Sequence, residues 1–237
     1  MNYEQARFNM IEQQIRPWEV LDNQVLLLLA LIRREDFVPL AHRALAFVDM
    51  EIPLDAGAAA PREAGQCMLA PKVEARILQD LAVQKHEKVL EIGTGSGYMA
   101  ALLAHRGQQV VTLEINADLA ALARENLQRS GVYNAEVIHR DGAGYLKPVE
   151  GNHDAEEDAL NGPFDVIVLS GSVAAVPASL LSLLKIGGRL SAIVGFEPIM
   201  RATLITRVDD KAWRTTHAWD TVAPRLLNFP EPSSFTF

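Results

Sequence analysis

The chain holds one cysteine, Cys67, in 237 residues. A lone thiol has no partner within the chain, which excludes the disulfide framework that staples small secreted domains. Long hydrophobic runs are missing too. The longest unbroken apolar stretch is Val25 to Ile32, far short of the roughly 20 residues a membrane-crossing helix needs. The opening Met-Asn-Tyr-Glu-Gln lacks a basic flank and an apolar h-region, so no secretory signal is expected and a cytoplasmic protein is the simple expectation. Basic charge is scarce: 22 Lys and Arg against 30 Asp and Glu leave a net charge of −8. That argues against a general nucleic-acid binder, whose affinity comes from neutralising phosphates. The 6 histidines show no metal-ligand spacing, so no metal site is expected.

What remains is ordinary for a globular protein, with 49% hydrophobic and 22% charged residues. Residues 1–50 read as helical. Asp22 is expected to cap a helix carrying Val25, Leu26, Leu28, Leu29 and Ile32. Arg33 and Arg34 would sit at its C-terminal end, where the helix dipole favours cations. Pro53, Gly57, Pro61, Gly65 and Pro71 predict a long loop over residues 51–71. From Lys72 onward helices and strands alternate. Val73, Ile77, Leu78 and Leu81 share one helical face. Strands are expected over 88–92, 110–114, 136–139, 165–169 and 189–194. Helices are expected over 98–106, ended by Gly107 as C′ residue, then from a cap at Asp118 to Gly131, and over 180–184. Such alternation means a parallel sheet covered on both faces. Residues 202–208 and 213–219, joined by Asp209-Asp210-Lys211, read as an antiparallel edge. Residues 150–162 carry Glu150, Asp154, Glu156, Glu157 and Asp158. They read as a solvated insertion, with a partner-binding acidic loop as the alternative.

The most specific local signal is Val89-Leu90-Glu91-Ile92-Gly93-Thr94-Gly95-Ser96-Gly97, where a strand ends and a helix begins. Glycines there permit positive φ and a close approach of ligand to backbone, at the sheet edge where open α/β proteins bind ligands. A dinucleotide site wants G-x-G-x-x-G, and Tyr98 at the sixth position breaks that pattern. Glu91, two residues before the first glycine, would repel a pyrophosphate and attract a cation. S-adenosylmethionine (SAM) fits, with a sulfonium, an ammonium and no phosphate. Glu114 ends the next strand, with Ile115 beside it, and is placed to accept from both ribose hydroxyls. Asp141-Gly142 follows the third strand, where the Asp could accept from an adenine amino group.

At this point the sequence resembles the class I SAM-dependent methyltransferases, and within them the protein-L-isoaspartate O-methyltransferase family. Val89 to Tyr98 is similar to its glycine motif in full. Met10 to Ile15 resembles its opening helix, and Arg34-Glu35-Asp36-Phe37-Val38-Pro39 its R-E-x-F-V-P stretch. Ala46 to Asp49, Ile52-Pro53-Leu54, Asp141-Gly142, Pro163-Phe164-Asp165 and Leu184 to Leu190 fit further motifs, so the resemblance spans about residues 5–225. It implies a Rossmann-like, mostly parallel seven-stranded sheet with helices on both faces. It implies residues 1–71 as an N-terminal helical cap and substrate loop, and residues 72–237 as the SAM-binding domain. It also implies SAM as methyl donor, held by Glu91, Gly93, Thr94, Gly95, Ser96, Gly97, Glu114, Ile115, Asp141 and Gly142. The implied activity is methyl esterification of isoaspartyl residues in damaged proteins.

The substrate loop departs from the family. Its G-Q-T-I-S-x-P-(H/Y) reads Gly65-Gln66-Cys67-Met68-Leu69-Ala70-Pro71-Lys72 here, so the catalytic Ser falls on Leu69 and the His or Tyr on Lys72. Gln66, Leu69 and Lys72 are expected to line the acceptor side. A buried carboxylate that loses one donor costs roughly 1–3 kcal/mol, about 10- to 100-fold in rate. Lys72 is expected to compensate as a cationic donor. Alternatively the loop serves a less polar acceptor, such as a small molecule, which suits Cys67, Met68 and Leu69, or the chain binds SAM without catalysis. Cys67 is expected as a small buried apolar residue, and Trp213 and Trp219 as core or edge packing.

Overall fold

The computed structural model describes residues 2–54, 66–144 and 162–231. Strand β1 (Ile52–Pro53) pairs antiparallel with β2 (Cys67–Met68), bracketing the breaker-rich loop. Residues 55–65 of that loop and the acidic segment over 150–162, apart from Gly162, lie outside the described residues. Seven further strands follow: β3 (Lys88–Ile92), β4 (Gln109–Glu114), β5 (Ala135–His139), β6 (Phe164–Val173), β7 (Leu184–Phe196), β8 (Ile199–Asp209) and β9 (Ala212–Thr221). They form one sheet in the order β5-β4-β3-β6-β7-β8-β9. β5, β4, β3, β6 and β7 run parallel, whereas β8 and β9 add an antiparallel edge, as the texture after Gly195 predicts. The chain builds β3, β4 and β5 in one direction, then returns to place β6 on the other side of β3. That reversal opens a crevice at the carboxyl ends of β3, β4 and β6.

Strand periodicity of two sorts the core into two layers. Val89, Val110 and Val166 point to one face, and Leu90, Val111 and Ile167 to the other. The first face carries the Tyr98–Arg106 helix and the N-terminal segments, including Met10, Ile15 and Leu29, in one continuous cluster. The second carries Leu180 and Phe229. Each fully buried side chain of this kind is worth roughly 1.5–3 kcal/mol.

Local rules fail at four places. The Asn23–Leu31 helix is capped by Asp22 as expected, but Arg34 does not serve its C-terminus. Arg34 is fully buried, paired with Glu74, and donates from Nη2 to the Leu69 carbonyl at 2.7 Å. The Ala117–Arg129 helix is capped by Asn116, whose Oδ1 accepts from the amides of Asp118 and Leu119, so Asp118 is a first-turn acid. Gly107 ends its helix in an extended conformation, φ −90°, not a left-handed one. A Cβ there would stand 3.1 Å from the Glu87 carbonyl oxygen, a tight approach that favours glycine. The last short helix is Ala178–Ser182, and Leu184 already opens β7.

Candidate functional site

The glycine turn joins β3 to the Tyr98–Arg106 helix with φ of +98°, +55° and +86° at Gly93, Gly95 and Gly97. These are left-handed values that side chains other than glycine rarely adopt. Its amides are already engaged within the protein. Gly93 and Thr94 donate to the Leu113 carbonyl, Gly97 donates to Thr94, and Gly95 donates to Glu114 Oε2 at 2.8 Å. Glu114 Oε1 accepts from the Asn116 amide at 3.0 Å. Phosphate-binding turns leave such amides open. Here four of them are satisfied internally, one by a carboxylate.

Glu114 retains acceptor capacity, since a carboxylate has about four lone-pair sites and two are taken. It borders a narrow cleft of about 100 Å³ with Gly93, Gly95, Ile115, Asp141 and Gly142. Gly142 has no alternative: a Cβ would meet Ile92 Cγ2 at 2.3 Å. Asp141 is oriented by two donors, the Ala143 amide at 2.9 Å and Asn228 Nδ2 at 2.9 Å. The outer wall is a segment that sequence reasoning missed. Arg225, Leu226, Leu227 and Phe229 all line the cleft, and Leu226 presses on the turn, 3.0 Å from where a Gly93 Cβ would stand. The volume falls below the roughly 300 Å³ at the low end of ligand pockets.

Glu91 sits beneath the turn and not in the cleft. It is fully buried, accepting from Ser170 Oγ at 2.6 Å and from Thr112 Oγ1 at 2.7 Å. Thr112 has one proton, given to Glu91, so Thr94 Oγ1 donates to Thr112 across 2.6 Å. Burial pushes the Glu91 carboxyl up to about 7, opposed by the Ser170 and Thr112 hydrogen bonds. Thr94 and Ser96 are buried as well, and Ser96 is fixed through its carbonyl by Asn126 Nδ2 at 2.9 Å. Asn126 is a second residue the sequence did not announce.

The acceptor-side residues divide. Gln66 lines the narrow cleft, whereas Leu69 and Lys72 line a larger pocket of about 700 Å³. Leu69 also borders a small cavity beside Gly93, Gly95 and Ser170, so its side chain is the partition between the two regions. Lys72 is already engaged: its Nζ lies 2.7 Å from Asp49 and 4.0 Å above the Trp18 ring. Cys67 is half-buried at the cleft rather than fully buried. Trp219 is half-buried in the large pocket's wall, and Trp213 is exposed. Beneath the loop, burial pushes Glu74 up to about 7 despite its contact with Arg34.

Comparison with known proteins decides the lineage. Residues 5–221 match the family described as Protein-L-isoaspartate(D-aspartate) O-methyltransferase. The chain belongs to that family. Among curated members it is similar to the protein-L-isoaspartate O-methyltransferase of Koribacter versatilis, 37% identical over 85% of this chain and 81% of the relative. It is also 35% identical to protein-L-isoaspartate O-methyltransferase 2 of Marinobacter nauticus, over 86% of this chain and 84% of the relative. In fold it resembles a Plasmodium falciparum protein assigned to the same activity and crystallised with S-adenosyl-L-homocysteine. That match has TM-score 0.69 at 19% identity, covering 95% of this chain and 99% of the other. Family membership makes this chain a SAM-dependent methyltransferase of the isoaspartyl class, on the mostly parallel seven-stranded sheet that the resemblance implied. Among the described residues no helix is long and apolar enough to cross a membrane.

Proposed function

We propose that this chain transfers a methyl group from SAM to the free α-carboxylate of isoaspartyl residues in proteins, the carboxylate left over when the peptide bond runs through the side chain. The observation that carries the reading is the Glu114 carboxylate seated in the glycine turn, with the turn's amides turned inward. Such a cleft disfavours a pyrophosphate and favours a ribose with a cationic neighbour. Glu114 holds the ribose hydroxyls through its two remaining acceptor sites, and Asp141 accepts from the adenine amino group. Gly93, Gly95 and Gly142 keep the floor free of side chains, with Ile115 on the rim. Thr94, Ser96 and Gly97 shape the turn from below. When bound, SAM supplies a methyl group made electrophilic by its sulfonium.

The acceptor is a carboxylate, ionised at neutral pH, so no residue has to remove a proton. The site's work is orientation and exclusion of water. Leu69, buried at the partition, excludes water but donates nothing. Ser170 is the hydroxyl that borders both the narrow cleft and the cavity behind Leu69, and Glu91 fixes where it points. A cytoplasmic location and a protein substrate without nucleic acid go with this reading, supported by the lone cysteine and the net charge of −8.

The test is transfer of labelled methyl from SAM to an isoaspartyl peptide and to its aspartyl twin. Label in the first alone is expected. Background labelling of both overturns the reading and leaves another acceptor, or binding without turnover, to be separated by calorimetry with SAM.

A further inference from the structure

One stripe of one helix fixes two aromatic walls of the 700 Å³ pocket. In Pro71–Leu81, Val73, Ile77, Leu78 and Leu81 face the core. Lys72, Arg76 and Asp80 recur every four residues on another face, where side chains stack one above the next. Each grips an indole. Lys72 lies 4.0 Å over the Trp18 ring, Arg76 lies 4.9 Å over the Trp219 ring, and Trp219 Nε1 donates to Asp80 Oδ2 at 2.8 Å. Two tryptophans from opposite ends of the chain are thereby fixed as walls of the same 700 Å³ pocket.

The pocket's cations are engaged, and Glu51 and Asp220 add acid to its wall. Lys72 is neutralised by Asp49, and Arg76 reaches Glu19 at 3.4 Å. What it offers an occupant is apolar and aromatic surface: the two indoles, Met50, Val222 and an exposed Ile199. It adjoins the methyl-transfer region, with Leu69 as the shared wall between it and the cavity at Gly93 and Ser170. A carboxylate presented over Leu69 would place its neighbouring residue here.

We propose that this pocket selects methyl acceptors carrying an aromatic side chain next to the methylated residue, seated against Trp18 and Trp219. The inference rests on the methyltransferase reading above and adds a preference that the reading does not contain. Rigid aromatic walls favour an aromatic guest through edge and offset contacts beyond simple burial. With its cations already paired, the pocket offers an acidic neighbour no such gain.

The test uses two isoaspartyl peptides, flanked on both sides by Phe or by Gly. The Phe peptide is expected to show a KM about tenfold lower at similar kcat. Trp18→Ala, at a half-exposed site that tolerates truncation, is expected to erase that difference, and Trp18→Phe to restore part of it. Equal KM values for the two peptides in the wild type, or a difference that survives both Trp18→Ala and Trp219→Phe, overturn the proposal. Intrinsic fluorescence separates this failure from failure of the chemistry. In Trp213→Phe protein, the Phe peptide should shift the emission of Trp18 and Trp219 and the Gly peptide should not, whether or not methyl is transferred. Equal responses, or none, overturn the pocket assignment by themselves.

Discussion

The narrow cleft and the large pocket are built by opposite means. The narrow cleft is made largely of backbone and short local segments: three glycines at positive φ, a strand-end glutamate and an Asp-Gly turn. The large pocket is made of side chains from distant segments, Trp18, Met50, Lys72, Arg76 and Trp219, held in place by one another. A ligand common to many enzymes can be met by a local turn, whereas an acceptor is met by whatever side chains the fold brings together. The difference can be probed from below, at the ion pair under Leu69, or from either side.

The largest effect is expected at that support. Arg34 holds the Leu69 carbonyl and pairs with Glu74, both deep under the loop. Arg34→Met leaves Glu74 buried without its cation, so about 3–5 kcal/mol of stability should be lost, read from urea midpoints. Arg34→Met combined with Glu74→Leu should recover most of it, because the stranded charge is gone. A single-variant loss below about 1 kcal/mol would show that the pair does not hold the Leu69 wall.

Next comes Glu91. Its carboxyl is raised to about 7 by burial, with Glu74 and Glu114 adding to the rise and Ser170 and Thr112 opposing it. The folded protein therefore holds a proton there that the unfolded chain releases at lower pH. This contribution to stability is fully present below the ordinary glutamate value and is lost as pH climbs through about 7. Glu91→Gln carries no such loss. Its stability relative to wild type should rise between pH 5 and pH 8 by at most about 3 kcal/mol, measured as paired urea melts. A difference flat in pH would place Glu91's proton elsewhere.

On the cofactor side, Glu114→Ala should weaken SAM binding by about 1–3 kcal/mol through lost charge-assisted hydrogen bonds, measured by calorimetry. Trp18→Ala should leave that affinity alone. Equal losses from both variants would erase the distinction between the cavities, and no loss from Glu114→Ala would mean that the ribose lies elsewhere.

The same contrast explains what was legible. The strand over 88–92 and the helix over 98–106 read correctly from sequence because their signals, apolar runs and the glycine turn, are local. Glu114 and Asp141 border one cleft because strand ends repeat at the same sheet edge. Arg34 was misread as a dipole partner because Glu74, its true partner, lies 40 residues on. Asn228 was invisible for the same reason: it orients Asp141 from 87 residues away. Trp219 looked like edge packing because only the fold reveals Arg76 and Asp80 beneath it.

Lys72 gives the smallest expected effect and the finest discrimination. The sequence suggested a cation that replaces the missing serine hydroxyl, and a group acting directly on the acceptor carboxylate would cost 10- to 100-fold in rate when removed, about 1–3 kcal/mol. The structure gives its ammonium other company, Asp49 at 2.7 Å and the face of Trp18. Both side chains of the pair keep contact with solvent, 26% and 19% exposed, so the pair is worth about 1 kcal/mol or less. Lys72→Met keeps an apolar stem against Trp18. It should lower kcat/KM on the Gly-flanked isoaspartyl peptide by no more than about threefold, within that same energy. A fall of 30-fold or more, carried by kcat, would move Lys72 from the wall of the acceptor pocket to the reacting carboxylate. The loss of the serine would then be compensated by charge, and the work of orientation would not fall to Ser170 and the walls alone.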